Sequence, residues 1–202
     1  MLVDMSNRIE AWKTRQLILE TAFHEIYKNG FRATGLNGIL EKTGLTKGAF
    51  YHHFKCKNAI GYAILDELLP EFYEKIYLGA LNECEDPVEC LKEILRSFRV
   101  REEEVMLGCP WTNLAVEMSP VDEGFRLRIQ RIYDNCTKII ESALERGKSK
   151  GYVREDIDSN ASAMFIIASV AGCRSVAKNA RSAKVLLLCH DQLIIYLNSL
   201  KN

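Results

Sequence analysis

Apolar residues recur along the chain at intervals of three to four positions, and no stretch alternates convincingly between apolar and polar residues. The first pattern is typical of amphipathic helices, whereas strict alternation would have indicated strands. The chain is therefore predicted to be all-α. Its 202 residues, 48% of them apolar, are enough to bury a substantial core as one large domain or two small ones.

Three helices are predicted at the N-terminus, with glycine-containing turns between them. Gly30 ends the first helix, because glycine readily adopts the left-handed conformation of a helix C-cap. Gly44 ends the second helix, and Thr46 is a suitable N-cap for the third. Two short helices joined by about three residues that include a glycine match a helix-turn-helix. The predicted ranges are 8–28, 36–42 and 47–54.

Prolines divide the rest of the chain into longer helices. Pro70 lies inside the predicted fourth helix and should bend it, either as a working lever or as a passive kink. Asp86-Pro87 and Asp122-Glu123 are start signals for two further helices. The fourth helix and the last two helices are predicted over 57–83, 158–179 and 182–200.

The last two helices differ from ordinary surface helices. The first carries small residues that allow close helix approach, such as Ala161, Ala168 and Gly172. The second is apolar on more than one side, which a helix exposed to water would not tolerate. A four-helix interface between two copies of the chain explains this pattern, and a buried core within one chain is the alternative.

The formal net charge is zero, but the charges are unevenly distributed. Residues 1–57 contain nine Lys or Arg against five Asp or Glu, a net charge of +4, and the remainder carries −4. A basic N-terminal region on an acidic body predicts that the N-terminal region binds a polyanion.

The predicted third helix has two distinct faces. Phe50 and Phe54 are four residues apart, so both should point into a small core. His53 is also expected to pack inward. The outer surface carries polar donors and a glycine that leaves room for a phosphate, namely Lys47, Gly48, Tyr51 and His52. A DNA-binding surface is the favoured interpretation, and a solvated polar face is the alternative.

The stretch from Thr14 to Ile60 resembles the DNA-binding domain of the TetR family of transcriptional regulators, most specifically in GLTKGAFYHHF at residues 44–54. The resemblance implies an N-terminal three-helix helix-turn-helix DNA-binding domain, residues 1–56. It also implies a larger helical domain for effector binding and dimerisation, residues 57–202. Asn37-Gly38, Cys56 and Asn58 depart from the residues usual in the family.

The same resemblance implies a function and a set of partners. The chain would be a repressor that a small-molecule effector releases from double-stranded operator DNA, acting as a homodimer through its last two helices. Phosphate contacts are expected from Thr34, Tyr51, His52 and Lys57. Base edges in the major groove are expected to meet Thr46, Lys47 and Gly48.

Residues 107–119, LGCPWTNLAVEMS, carry the candidate chemistry of the larger domain. Cys109-Pro110 places a thiol at a helix N-terminus, where backbone amides stabilise a thiolate. Gly108-Cys109, followed by Asn113-Leu114 and Glu117, is similar to a family branch that includes the NemR electrophile and oxidant sensors. That similarity implies a reactive Cys109, and an inert buried cysteine beside a ligand pocket is the alternative. The pocket is expected to be lined by Tyr62, Leu65, Cys109, Trp111, Asn113 and Phe125.

Several classes of protein find no support in the sequence. It contains no nucleophile elbow, Walker loop, HExxH or paired-carboxylate motif, so no enzymatic activity, cofactor or metal site is predicted. The seven cysteines include no CxxC pair and are predicted to be reduced thiols rather than disulfides. No uninterrupted apolar run is long enough for a bilayer and no signal-peptide core is present, which predicts a cytoplasmic protein without a membrane partner.

Overall fold

The computed structural model describes residues 2–73, 79–97 and 102–202, and it confirms the all-α prediction. Within these ranges the regular elements are helical, and the one extended pairing is an isolated bridge between Val153 and Lys201. The helices are α1 (Leu2–Asn29), α2 (Leu36–Thr43), α3 (Lys47–His53), α4 (Lys57–Ala63), α5 (Leu69–Tyr73), α6 (Gly79–Glu83), α7 (Pro87–Ser97), α8 (Glu102–Leu107), α9 (Pro110–Met118), α10 (Glu123–Ser149), α11 (Ser159–Ala180) and α12 (Ala183–Ser199).

Packing divides the chain into two compact units. The first contains the residues up to Pro70 together with Asn113–Ile129, and the second contains Glu71–Thr112 and Gln130–Asn202. The first unit therefore adds α4, most of α9 and the start of α10 to the predicted three-helix domain. This division by packing differs from the predicted division after residue 56.

The helix-turn-helix forms as the sequence predicts. Gly44 has a φ of 68° at the end of α2, which is the left-handed conformation expected of a C-cap glycine. The Thr46 side chain accepts a hydrogen bond from the Ala49 amide at 3.2 Å and so caps α3. Phe50 and Phe54 are buried, as predicted. The first helix begins at Leu2, earlier than the predicted residue 8.

The predicted fourth helix over 57–83 is wrong as a single α-helix. After α4 the chain forms a π-helical segment, Ile64–Leu68, and α5 follows from Leu69. Pro70 is the physical reason, because it has no N–H to donate and its ring would clash with the carbonyl of residue 66. A wider π-helical turn accommodates such an interruption. Part of the predicted range, residues 74–78, lies outside the described residues.

Two phenylalanines close the core of the first unit against α4. The rings of Phe31 and Phe125 meet edge to face, with centroids 4.7 Å apart. A Cβ atom placed on Gly61 would lie 2.5 Å from Phe125 and 2.7 Å from Phe31. Only a residue without a side chain fits between these rings.

We expect Gly61→Ala to lower the free energy of unfolding by about 1–3 kcal/mol, because the added methyl overpacks this contact. Gly38→Ala is the matched control, since a Cβ at Gly38 in α2 meets nothing within 4 Å. It should raise stability by up to about 1 kcal/mol through helix propensity. Urea unfolding of both variants measures the two effects, and a neutral Gly61→Ala would contradict the described packing.

The second unit has its own core between α7, α10, α11 and α12. Its most buried members include Val88, Leu144, Ala163 and Leu197. Lys201, near the C-terminus, forms ion pairs at the start of α7, where its ammonium lies 3.0 Å from Asp86 and 2.7 Å from Glu89. Hydrogen bonds from Lys201 and then Lys92 lower the pKa of Glu89 to about 2.

Two cysteines beside α7 are paired. Cys84 and Cys90 form a disulfide with their Cα atoms 6.5 Å apart, so the prediction of reduced thiols throughout is wrong at this pair. The other five cysteines are free thiols. The turn at Asp86-Pro87 folds the chain back before α7, which brings two residues six positions apart within bridging distance.

By length and composition alone, α11 is apolar enough to cross a membrane, with a mean hydropathy of 1.3 over its most apolar window. The helix contains Arg174, so it is not an uninterrupted apolar run. The apolar residues of α11 are divided between the core of the second unit, as with Ala163 and Ile166, and an exposed face that includes Met164 and Phe165.

Candidate nucleic-acid interface and effector site

The outer surface of α3 presents the side chains that the sequence assigns to DNA. Five residues form this surface, which we call the recognition face, and all five are exposed: Thr46, Lys47, Gly48, Tyr51 and His52. α3 contains no acidic residue. Lysine, tyrosine and histidine donors of different lengths are therefore exposed to solvent on one short segment of the first unit.

Thr34 and Lys57 are placed differently from the recognition face. Thr34 is only 4% exposed, and its hydroxyl donates to the Gly30 carbonyl at 2.7 Å. This geometry gives Thr34 a role in shaping the loop before α2 and disagrees with a side-chain phosphate contact. The half-buried Lys57 ammonium donates to the Arg32 carbonyl at 3.2 Å and lies 4.7 Å from the Phe31 ring centroid.

The ionisation of two residues follows from these surroundings. Burial lowers the pKa of Lys57, although attraction by Glu117 opposes the shift. Burial and then the neighbouring His52 and Arg15 lower the pKa of His53. His53 is half-buried, as expected, and it remains neutral at neutral pH.

A carboxylate from α9 binds the loop between α1 and α2, a role that the sequence does not predict for it. Glu117 Oε2 accepts a hydrogen bond from the Phe31 amide at 2.8 Å, and Oε1 accepts one from the Arg32 amide at 2.7 Å. Gly30 has a φ of 88°, and a Cβ there would lie 3.2 Å from the same carboxylate. We call this contact the Glu117 clamp. The signal available in the sequence was the position of Glu117 in the motif around Cys109.

A second polar cluster joins α4 to the start of α10. Asp122 accepts hydrogen bonds from the Tyr62 hydroxyl at 2.8 Å, the Asn58 amide at 2.8 Å and the Phe125 amide at 3.0 Å. Burial alone would raise the pKa of Asp122, but these hydrogen bonds outweigh burial and lower it. Arg128 stacks 4.1 Å from the Tyr62 ring centroid and pairs with Asp66 at 2.7 Å.

The second unit contains an apolar cavity of about 100 Å³. Two of the predicted pocket residues, Cys109 and Trp111, line it, and the Trp111 ring centroid lies 3.7 Å from that of Tyr73. The other lining residues are mainly aliphatic and come from α6, α7, α10, α11 and α12: Leu81, Leu91, Ile94, Leu95, Cys136, Ile140, Ile166, Ile167, Val170, Ala171, Arg174 and Leu197.

The other four predicted pocket residues are not among those that line this cavity. Tyr62 binds Asp122, and the fully buried Phe125 packs on Phe31. Leu65 is also buried, and Asn113 belongs with these three to the first unit. The rings of Tyr62 and Phe125 pack together within the first unit, with centroids 5.1 Å apart, and a ligand contact at these four residues stays a prediction.

The Cys109 thiol precedes the first residue of α9, as the sequence predicts, but it is only 4% exposed. A second thiol, that of Cys136, lines the same cavity. Burial, followed by the neighbouring Cys109, raises the pKa of Cys136 to about 11. Cys136 is therefore an unreactive thiol at neutral pH.

An apolar face runs along α11 and α12. Its large exposed residues are Met164, Phe165, Val176, Leu187, Leu188 and Ile195. A groove on this face lies beside the edge-to-face pair of Phe165 and Tyr196, whose ring centroids are 4.6 Å apart. Leu193 also lines the groove but is 3% exposed and belongs to the core of the second unit. Contiguous exposed apolar residues of this kind are typical of a protein interface.

Two family models match separate parts of the chain. The family described as bacterial regulatory proteins, tetR family, matches residues 18–63. The family described as transcriptional regulator LmrA/YxaF-like, C-terminal domain, matches residues 87–192, which is more than half of the chain. The first match contains the recognition face, and the second contains most of the cavity and the apolar face.

Individual relatives agree with these matches. An uncharacterised HTH-type transcriptional regulator in the lacX 3′ region of Lactococcus lactis subsp. lactis is 32% identical over 133 residues, covering 65% of this chain and 68% of that protein. The HTH-type transcriptional repressor NemR of Escherichia coli strain K12 is 24% identical, covering 90% and 94%.

A crystal structure of a TetR transcriptional regulator from Chloroflexus aurantiacus J-10-FL has a TM-score of 0.83, at 24% identity and with 94% and 96% of the two chains covered. At this identity the likeness shows a shared fold. The matched families and relatives are transcriptional regulators, a class without enzymatic activity, as the sequence predicts. The N-terminal match, the match over residues 87–192 and these relatives together show that the chain belongs to the tetR family of transcriptional regulators.

Proposed function

We propose that the chain is a cytoplasmic repressor that binds operator DNA as a homodimer and is released by a small-molecule effector. The observation that carries the DNA-binding part is the recognition face, where Lys47, Tyr51 and His52 are all exposed on one helix without an acidic neighbour in that helix. Lys47 and Gly48, with Thr46, stand at the start of α3, which is the end that meets base edges in a helix-turn-helix. Tyr51, His52 and Lys57 are proposed phosphate contacts.

The effector is proposed to occupy the apolar cavity of the second unit. Its lining has the composition of a small-molecule site, since apolar and aromatic side chains surround few polar groups. Two residues at the start of α9, Cys109 and Trp111, are part of this lining. An effector that fills the cavity therefore acts on the same helix that carries the Glu117 clamp.

Release from DNA requires that the effector bind one conformation better than the other. Trp111 and Glu117 are six residues apart on α9, a rise of about 9 Å along the helix. A displacement of the start of α9 is carried to Glu117, because an α-helix is a stiff element. The Phe31 and Arg32 amides follow the carboxylate, and the helix-turn-helix changes its position. In this proposal α9 replaces the predicted fourth helix as the lever.

The proposed DNA contacts are tested by substitution of the recognition face. Lys47→Ala should change the preference between operator variants, because Lys47 reads bases, with a cost of about 1–3 kcal/mol at the preferred base. Tyr51→Phe and His52→Ala should weaken binding to all sequences alike. Lys150→Ala is the control, because it removes the same charge from an exposed lysine in the second unit. Uniform weakening by Lys47→Ala would contradict its base-reading role.

A thiol sensor for electrophiles and oxidants is the second candidate function. The observation that favours it is the position of Cys109, which lies directly before α9 and lines the cavity. A covalent adduct on Cys109 would act on α9 in the same way as a bound effector.

Cys109→Ser separates the two candidates. Under covalent sensing, the variant should bind operator normally but lose its response to electrophiles and oxidants. Under reversible binding it should respond to the effector almost as the parent does. Electrophoretic mobility shifts give the response, and mass spectrometry after mild electrophile treatment gives the site of modification. Selective modification of Cys136 instead of Cys109 would contradict the thiol-sensor proposal.

A further inference from the structure

The Cys84–Cys90 disulfide ties together two elements that line the cavity of the second unit. The Cα atoms of the pair are 6.5 Å apart. Cys84 directly follows α6, which ends at Glu83, and Cys90 lies in α7. Leu81 of α6 and Leu91 of α7 are buried, and both line the cavity. The bridge therefore restrains the distance between two walls of the cavity.

The start of α7 does not depend on the disulfide. The Asp86 carboxylate accepts hydrogen bonds from the amides of Val88 at 3.0 Å and Glu89 at 3.2 Å, and so caps the helix. Lys201 pairs with the same carboxylate at 3.0 Å. A bridge between residues six positions apart also constrains the unfolded chain less than a bridge that closes a long loop does. Reduction of the disulfide should therefore leave α7 in place and free α6 from it.

The pair is accessible and suits either redox state. Cys84 and Cys90 are half-buried, whereas the free thiol of Cys109 is only 4% exposed. In the reduced form the Cys84 thiol has an acceptor in place, because its Sγ lies 3.1 Å from the Asp86 carbonyl oxygen. Disulfides in cytosolic proteins are rare and usually act in catalysis or redox sensing. In the cytoplasmic repressor proposed above, this half-buried pair therefore indicates a redox role.

The size of the cavity gives the disulfide a consequence for ligand binding. An apolar cavity of about 150 Å³ holds benzene, and the present cavity of about 100 Å³ is smaller. An effector with an aromatic ring must therefore displace part of the wall. The helix α6 has only five residues, far fewer than α7, α10, α11 or α12, and the disulfide opposes its movement away from α7.

We propose that the Cys84–Cys90 pair is a redox switch that sets the affinity of the cavity for its effector. This inference rests on the proposed effector function of the same cavity. In the oxidised state α6 is held against α7, and the effector is bound weakly. In the reduced state α6 can move, and the effector is bound more tightly. The oxidised repressor would thus stay on its operator at effector concentrations that release the reduced one.

The two states interconvert by thiol–disulfide exchange with a low-molecular-weight thiol such as glutathione. The thiolate of one glutathione attacks one sulfur atom of the pair, the S–S bond breaks, and the departing sulfur takes up a proton. A second glutathione attacks the mixed disulfide and releases the other cysteine, which also takes up a proton. Two electrons and two protons thereby pass to the protein, and two glutathione molecules become one oxidised glutathione. Oxidation of the pair is the reverse of these steps.

Equilibration with mixtures of reduced and oxidised glutathione, followed by alkylation of free thiols and mass spectrometry, measures the state of the pair. Cys84 and Cys90 should pass together from disulfide to dithiol over mixtures that match the redox poise of a cytosol. A pair that stays oxidised in the most reducing of these mixtures would be purely structural and would overturn the proposal. A pair that is reduced in all of them would overturn it as well.

The effect on the cavity is tested with p-xylene, an apolar probe with one aromatic ring. Calorimetry and the fluorescence of Trp111 in a Trp12→Phe background measure its binding, because Trp12 is the other tryptophan. The reduced parent should bind p-xylene about tenfold more tightly than the oxidised parent. The double variant Cys84→Ser/Cys90→Ser should bind it as the reduced parent does in every glutathione mixture.

Cys56→Ser is the matched control, because it removes an exposed free thiol from the first unit and should keep the difference between the two states. If the double variant does not fold, the parent in its two states still provides the test. Equal affinity in both states would overturn the switch while leaving the cavity as the effector site. Absence of p-xylene binding in both states would overturn the switch together with the effector cavity, and operator binding without ligand tests the repressor proposal separately.

Discussion

Leu188→Glu should convert the proposed homodimer into a monomer and abolish tight operator binding. Leu188 lies on α12, is 56% exposed, and lines the groove of the apolar face. In a two-fold dimer each copy contributes the substituted residue, so two carboxylates would be buried without partners. A buried, unpaired charge costs about 3–5 kcal/mol, so each one weakens association by roughly a hundredfold or more.

The same substitution should leave the fold intact, because Leu188 is not part of the core. Leu193→Glu is unsuitable for this test, since its side chain is buried within the chain and a charge there would unfold it. Val121→Glu is the matched control, with an equally exposed apolar residue in the turn before α10. Sedimentation should show a monomer for Leu188→Glu and a dimer for Val121→Glu. A fully dimeric Leu188→Glu variant that binds operator would place the interface elsewhere.

Glu117→Ala should disconnect effector binding from operator release. The variant loses two charge-assisted hydrogen bonds to the Phe31 and Arg32 amides, which contribute roughly 1.5–3 kcal/mol each when shielded from water. The Arg32 amide is exposed, so its share lies at the lower end. The loop between α1 and α2 then no longer follows α9, and the effector-induced fall in operator affinity should shrink by about tenfold to a hundredfold.

Two measurements on the Glu117 variants distinguish coupling from misfolding. Effector binding in the cavity, followed by Trp111 fluorescence, should be unchanged because Glu117 does not line it. Glu117→Gln retains one acceptor oxygen and should retain part of the coupling. Glu123→Ala removes an exposed carboxylate that pairs with Arg126 on the same helix, and should have no effect. A Glu117→Ala variant that responds to effector as fully as the parent would refute the clamp as the link.

The three N-terminal helices could be predicted because the residues that begin and end them act locally in the sequence. Gly44 and Thr46 act on their own neighbours in the chain, and the spacing of Phe50 and Phe54 alone determines that they share a face. The sequence also predicts that Pro70 disturbs the helix in which it lies. The π-helical segment before it was not predicted, because the conformation adopted around a proline depends on the packing of neighbouring helices.

The composition of the site was harder to predict than the fold. Tyr62 and Phe125 have the residue types of a ligand pocket, and only the structure reveals that Tyr62 bonds Asp122 and that Phe125 packs on Phe31. Glu117 lies 86 residues from Phe31 in the sequence, so no local pattern could reveal their hydrogen bond. The cavity is likewise built from residues between Tyr73 and Leu197.

Operator binding as proposed requires a dimer that places two recognition faces on one DNA duplex. Selection of bound fragments from random double-stranded DNA, by the purified 202-residue chain, tests this most directly. We predict enrichment of a pseudo-palindrome with half-site centres about 34–36 Å apart or a small multiple of that distance, and loss of the enrichment in Leu188→Glu. Enrichment of a single non-repeated sequence, or equal enrichment by Leu188→Glu, would contradict the proposed operator-binding dimer.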